Sequence, residues 1–295
     1  MENKPLVSIS CITYNHVNYI RDAIEGFLMQ KTTFPIEVLI HDDASTDGTE
    51  EIIREYEERN PEIIKPLYEK ENQWVKGRRG SKTFNYPRAK GKYIALCEGD
   101  DYWTDPYKLQ KQVDFLETTP DFSLCFHNAL ILWEDKSQPT KYFCSKNQKE
   151  VSTVEDVIEK WFIPSASMLF RKKYVYPLPG WRKNIYNGDW ALQLLLSVKG
   201  KIGYIDKVMS IYRRNQGSLS VRIGKNAEFV NNQMIELLNY FNEHSNFRYN
   251  ILISKKIKFL HLSTKAYKLR KKSKFLYWLF NPLKLANKIS EKMKN

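Results

Sequence analysis

Cysteine is scarce, and the four present, Cys11, Cys97, Cys125 and Cys144, form no CxxC pair. Cys11 and Cys97 sit inside apolar, strand-like runs, so they read as small buried hydrophobes of a chain in a reduced, cytosolic setting. Long apolar runs are missing too: none approaches the roughly 20 residues needed to cross a bilayer. No secretory leader is expected, because Met1-Glu2-Asn3-Lys4-Pro5 leads directly into a strand pattern. Internal repeats and low-complexity linkers are absent. Acid is nearly absent from one region: residues 246–295 carry 14 Lys and Arg against a single carboxylate, Glu291. The first 245 residues hold 33 basic and 33 acidic side chains and are neutral. A neutral body with a basic tail excludes a protein that grips nucleic acid with its whole surface.

What is present suits one large α/β domain with an appendage. The chain has 295 residues, 42% hydrophobic and 27% charged, near the averages of globular proteins. Aromatics reach 14%, which fits stacking on flat or ring-shaped ligands as well as a Tyr/Phe-rich core. Strand patterns over 6–12, 36–41 and 92–97 alternate with helical patterns over 19–30 and 49–59. Asp47 followed by Glu50 has the spacing of a capping box at the second helix. Each strand empties into polar residues: Thr13-Tyr14-Asn15-His16, Asp42-Asp43-Ala44-Ser45 and Glu98-Gly99-Asp100-Asp101. In open α/β sheets, ligands bind in the crevice beyond the carboxyl ends of the strands, which puts these three groups in one neighbourhood. Further on, the pattern predicts a helix over 106–116, a short strand over 122–127 and an irregular stretch over 134–149. A helix over 154–161, a strand over 167–170 and a helix over 189–198 follow. The expected boundary lies at 223/224: 1–105 a nucleotide-binding half, 106–223 an acceptor and catalytic half, 224–295 helical and basic.

Glu98, Asp100 and Asp101 place three carboxylates within four residues. Such crowding calls for a cation, and an all-oxygen ligand set suits Mg²⁺ or Mn²⁺ bridging carboxylate and diphosphate. A solvated acidic turn has the same letters. His16, His41 and His127 show no ligand spacing and read as structural. Trp103 and Trp190 flank acidic sites, as stacking surfaces for an acceptor or as plain packing.

Three blocks carry a family resemblance: Val7-Ser8-Ile9 with Thr13-Tyr14-Asn15, His41 through Thr49, and Ala89 through Asp101. In letters, order and spacing they resemble the family 2 glycosyltransferases over roughly residues 5–220. The resemblance implies a GT-A fold, a Rossmann-like mixed sheet with flanking helices. It also implies a nucleotide-diphosphate sugar donor, usually UDP-linked, a divalent metal and inversion at the anomeric carbon. Carried over by position, Thr13 and Asn15 line the nucleoside with Tyr14 as a stacking ring, and Asp42 reads the uracil. Glu98 contacts the ribose, Asp100 binds the metal and Asp101 supports it. Asp189, in Asn187-Gly188-Asp189-Trp190, stands at the catalytic base, although Asp at a helix start is also an ordinary cap. Arg213 and Arg214 belong to the late loop that closes on the diphosphate, where Asn215 replaces a frequent His. Lys82 keeps a positive charge where many members have Arg, without the bidentate fork.

The tail interleaves Lys and Arg with Ile257, Phe259, Leu260, Leu262 and the run Phe275–Phe280. A basic amphipathic helix of this kind lies on an anionic membrane surface or packs its apolar face on its own domain. The expectation is a cytoplasmic enzyme, peripheral on the inner face of the membrane, taking a glycan or lipid-linked acceptor and no nucleic acid. Two rivals remain. A sugar nucleotidyltransferase would want a glycine-rich phosphate loop, which Thr13-Tyr14-Asn15-His16 lacks. A non-catalytic sugar-nucleotide binder or membrane-docked scaffold would not need Asp42, Asp100 and Asp189 together.

Overall fold

The computed structural model describes residues 4–78, 80–176, 179–180, 187–214, 221, 224 and 226–272. Two compact units divide the chain: residues 1–184 with 188–215, and residues 216–295 with 185–187.

The first unit is built on one sheet. Strands β1 (Val7–Thr13), β2 (Ile36–Asp42), β3 (Ile64–Tyr68) and β4 (Tyr93–Leu96) run parallel in the order β3-β2-β1-β4. Helices α1 (Ile20–Leu28) and α2 (Thr49–Arg59) connect them and bury Ile20, Ile24, Phe27 and Ile53. Six of the seven residues of β1 are buried because a parallel sheet is covered on both faces, which is why its sequence reads as a run instead of an alternation. Helix α3 (Ser81–Arg88) latches onto the same strands. Asn85, fully buried, donates its amide to Ser10 Oγ (3.0 Å), Cys11 O (2.9 Å) and Leu39 O (3.0 Å).

Short β5 (Tyr102–Trp103) and helix α4 (Lys108–Thr118) lead into β6 (Phe122–Trp133), which pairs with β7 (Lys141–Tyr142); β8 (Val151–Ser152) and helix α5 (Val154–Glu159) follow. Strand β9 (Leu169–Arg171) runs antiparallel to both β4 and β6 and joins the halves. Helix α6 (Gly188–Ser197) precedes β10 (Lys201–Arg214), which lies parallel to β6 and antiparallel to β5. The predicted α/β mixed sheet with flanking helices is therefore present, with elements the sequence pattern did not give, the short β5, β7 and β8 among them. Strand β3 carries Pro66, tolerated because β3 lies at the end of the sheet order. Helix α3 is short, polar and contains Pro87. Strand β10 shifts register between Ile205 and Val208, and that irregularity interrupts the period-two pattern. Strand β6 continues to Trp133, well past the predicted 122–127.

The junction of the halves is pinned by Arg171, which is 7% exposed. Its guanidinium donates to Phe122 O (2.8 Å), Leu116 O (2.5 Å), Thr119 O (3.2 Å) and Tyr93 Oη (3.1 Å). Nearby, fully buried Lys108 donates to Gln112 Oε1 (2.7 Å), with Nζ 3.8 Å from the Trp103 ring centroid. Burial brings its pKa down to about 7, because the charged form loses its water.

The second unit contains α7 (Ala227–His244) and α8 (Asn250–Lys272). The chain reverses through Asn246 and Phe247, both at positive φ. Asn231 bonds Thr264 (2.9 Å) and Asn242 bonds Asn250 (2.9 Å), while Leu237, Phe241, Ile253 and Leu260 are buried. Among the described residues, no helix is long and apolar enough to cross a membrane. The run Phe275–Phe280 lies outside the described residues.

Candidate active site

The acidic loop after β4 is laid along the end of β1. Cys97 N–H donates to Ser10 O (3.2 Å) and Gly99 N–H to Ile12 O (2.9 Å). Gly99 packs so closely on Thr13 that a Cβ would stand 2.7 Å from its Oγ1 and 2.8 Å from its Cβ. A side chain at position 99 would wedge the acids away from β1, and this close approach is the physical reason for glycine within the acidic cluster. Thr13 Oγ1 and His16 Nδ1 are both buried without a hydrogen-bond partner.

Glu98 is exposed at the surface, but the dense protein around it strips part of its water. That desolvation, then the charges of Asp100 and Asp189, pushes its pKa up to about 8. Asp189, 91 residues away in sequence from Glu98, is thus close enough to act on it electrostatically. Asp100 is half-buried, whereas Asp101 is only 1% exposed and accepts Arg213 N–H on Oδ1 (2.9 Å). Asp101 ties the loop to β10 and is part of the framework.

The other strand ends are held by hydrogen bonds within their own loops. Asp42 is fully buried, and its carboxylate accepts Ser45 Oγ–H (2.5 Å) and Ser45 N–H (3.1 Å), which shapes its own turn. Asp43 orders the next loop by accepting Gln73 N–H (2.6 Å) and Trp74 N–H (3.2 Å). Asn15, at φ 54°, donates its N–H to Ser45 Oγ (2.9 Å) and accepts Thr46 N–H on Oδ1 (2.9 Å). It braces two loops, and its neighbour Tyr14 is 45% exposed and available for stacking. Asp47 makes no capping box: the residue before α2 is Gly48 at φ 99°. Asp47 instead accepts Thr49 N–H (3.0 Å) and Val17 N–H (3.0 Å), and Glu50 pairs with Arg54. Lys82 is half-buried in the first turn of α3.

In the second half, Asp189 lies in the first turn of α6 and accepts the Trp161 indole N–H on Oδ2 (2.9 Å). Nothing in the sequence marked Trp161, because only the fold brings it to Asp189. The tryptophans that did stand out are core: Trp103 is 1% exposed and donates to Ala166 O (2.8 Å), and Trp190 is 2% exposed and donates to Val157 O (2.8 Å). Acceptor stacking by these two rings is excluded by burial. Arg213 is committed internally. Its side chain pairs with Asp22 and with Glu134 (2.7 Å), contacts Asp100 O (3.4 Å) and stacks 4.3 Å over Tyr102. Holding phosphate would require it to leave these partners. Arg214 lies over the Tyr212 ring (5.3 Å) and the Trp133 ring (5.8 Å), and its Nε is buried without an acceptor, so it retains donor capacity. Asn215 through Ser220 lie outside the described residues.

His41 stacks on Phe84 (3.8 Å, 9° between planes), and burial lowers its pKa to about 4; His127 is fully buried. Both rings are packed in the interior. Among the described residues, no group of three His, Cys, Asp or Glu forms a ready-made metal cage. The donor set still fits Mg²⁺ or Mn²⁺, which are commonly held by one or two carboxylates with substrate phosphates completing the shell. The upward shift of Glu98 comes first from desolvation and then from the charges of Asp100 and Asp189, and a cation beside Asp100 would offset the charge part. A separate hollow of about 520 Å³, lined by Lys4, Lys90, Lys92 and Lys173, opens at the amino ends of β1 and β4 and is opposite in charge to this cleft.

The glycosyl transferase family 2 model matches residues 8–176. The chain belongs to that family. An uncharacterized protein of Mycobacterium tuberculosis is 38% identical over 212 residues, covering 71% of this family 2 chain and 59% of the relative. The putative teichuronic acid biosynthesis glycosyltransferase TuaG of Bacillus subtilis is 30% identical, over 74% of this chain and 82% of its own length. In fold, the chain resembles S. aureus TarS solved with UDP-GlcNAc (TM-score 0.59, 19% identity, 79% of this chain and 65% of that one). It also resembles the mannosyltransferase PcManGT of Pyrobaculum calidifontis, solved with GDP-Man and Mn²⁺ (TM-score 0.57, 14% identity, 95% and 82%). The sheet is that of a GT-A fold. The chain spans less than two thirds of the length of the mycobacterial relative and of TarS.

Proposed function

We propose that this family 2 chain is an inverting glycosyltransferase, using a nucleotide-diphosphate sugar, with UDP as the nucleotide, on a glycan or lipid-linked acceptor of a surface polysaccharide. The observation that carries the reading is the convergence of Glu98 and Asp100, at the end of β4, with Asp189, at the start of α6. Tyr14 offers its exposed ring to the base, and Glu98 accepts from the ribose. Arg214, with Lys82, faces the diphosphate. Asp100 would hold Mn²⁺ or Mg²⁺, which supplies compensation for the charge developing on the departing diphosphate. Asp189 takes the acceptor hydroxyl's proton as that oxygen bonds to the anomeric carbon and the carbon–oxygen bond to the diphosphate breaks, releasing nucleoside diphosphate. An in-line displacement of this kind inverts the anomeric centre.

The donor half is tested by a thermal-shift panel of UDP- and GDP-sugars with and without Mn²⁺. A ligand at a hundredfold excess over Kd stabilises by about 2.7 kcal/mol, a Tm rise of roughly 4 °C for a chain of this size. The expected result is such a rise for at least one UDP-sugar, larger with Mn²⁺. A flat response to every nucleotide sugar would remove the reading.

Acceptor delivery motivates a membrane role for the second unit. On α8, Ile251, Phe259 and Leu262 are exposed among Lys255, Lys256, Lys258 and Lys265. Such a face suits an anionic surface. In this reading the protein works in the cytoplasm, against the inner leaflet. Relatives include a UDP-Glc:alpha-D-GlcNAc-diphosphoundecaprenol beta-1,3-glucosyltransferase of Escherichia coli, 38% identical over 117 residues (40% of this chain, 43% of the relative). In flotation with anionic liposomes, the full chain should float and a chain truncated after Phe247 should stay in the bottom fraction. Equal behaviour of the two would sink the membrane role.

A further inference from the structure

We propose that Trp161 is a positioning residue for Asp189, its indole N–H fixing the carboxylate in the orientation that receives the acceptor's proton. The inference rests on reading Asp189 as the base and adds a residue that no motif marked.

The geometry is specific. Trp161 Nε1 donates to Asp189 Oδ2 at 2.9 Å. The indole is itself held, because Phe143 meets it edge-on (5.4 Å, 77°) and also meets Tyr212 of β10 edge-on (5.7 Å, 79°). Phe143 N–H donates to Ala129 O (2.8 Å), so this row of rings hangs from β6 and β10. The residue after Trp161, Phe162, is buried against Phe126. A rigid wall of the sheet therefore carries the N–H to the carboxylate.

Geometry gives that bond a purpose. The Asp189 carboxylate can rotate about its side-chain torsions, and its place in the first turn of α6 does not by itself fix which oxygen faces an acceptor. A charge-assisted bond from a neutral donor opposes that rotation. An indole nitrogen donates only, so it cannot take the proton itself and cannot replace Asp189 as base. Misplacing a catalytic group by about 1 Å costs on the order of 100-fold in rate, which sets the expected effect.

The test uses the full chain. In protein labelled with ¹⁵N-tryptophan, the indole resonance lost in Trp161→Phe identifies Trp161, and that resonance should move in Asp189→Asn. A resonance indifferent to Asp189→Asn overturns the proposal whether or not turnover is seen. In kinetics, Trp161→Phe keeps a ring against Phe143 and removes the donor. It should lower kcat roughly 10- to 100-fold with KM for the nucleotide sugar and Tm nearly unchanged. Phe143→Leu, which loosens the ring and spares the N–H, should fall between wild type and Trp161→Phe. Adding Trp161→Phe to Asp189→Asn should cost nothing further, because the two residues act as a unit. Unchanged kcat in Trp161→Phe, or losses that simply add in the double variant, overturn the proposal while leaving Asp189 as base. A wild-type chain without turnover on any sugar donor sinks the base assignment and this inference with it.

Discussion

Replacing Asp189 by Asn should lower transfer by about 100- to 10,000-fold, the usual contribution of a positioned general base, with nucleotide-sugar binding retained. The substitution is chosen for shape. Asn keeps an oxygen that can accept the Trp161 indole N–H, so the anchor at 2.9 Å survives and only proton acceptance is lost. It also removes one of the charges that push Glu98 upward, so donor affinity should hold or improve. Product nucleotide release measures turnover, and thermal shift measures binding of the donor. Turnover near the wild-type rate would leave Asp189 as no more than a residue of the first turn of α6.

The second large effect concerns the junction of the two sheet halves. Arg171→Met fills a similar volume but withdraws donors from the carbonyls of Phe122, Leu116 and Thr119 and from the Tyr93 hydroxyl. A buried acceptor left unsatisfied costs about 1–3 kcal/mol, and relief of the arginine's own burial offsets part of the sum, so a loss of about 3 kcal/mol is expected. The midpoint of urea unfolding reads it. A change below about 1 kcal/mol, the size of an ordinary surface substitution effect, would show that water or a shifted backbone replaces the lost donors. Because β9 lies between β4, which carries the acidic loop, and β6, the same variant should also lose transfer at temperatures where it remains folded.

Much of the architecture was legible because it is written locally. Continuous apolar runs mark strands buried on both faces, and the blocks ending β1, β2 and β4 announce a site at the carboxyl edge of the sheet. The elements that escaped break their own patterns: Pro66 in β3, Pro87 in α3 and the register shifts of β10. The site residues divide in the same way. Glu98, Asp100 and Asp189 could be named from their positions in the blocks, and the fold sets them within one another's field. Asp42 and Asn15 could also be named, but a letter does not say which way a side chain points. Asp42 turns inward to Ser45, Asn15 braces Thr46, and Tyr14 between the strand end and Asn15 is the exposed one.

By itself the sequence determined the family, the α/β sheet, the three strand-end clusters and the contrast between a neutral body and a basic tail. The family rests on the resemblance of three blocks; the sheet, the clusters and the charge contrast depend on composition, period and spacing, which neighbouring residues decide among themselves. Only the tertiary structure decided that Arg213 is drawn to Asp22, 191 residues away, that Trp103 and Trp190 are core, and that Trp161 meets Asp189. Such pairings are set by how separated segments pack and which charges they must neutralise, and no local pattern encodes them.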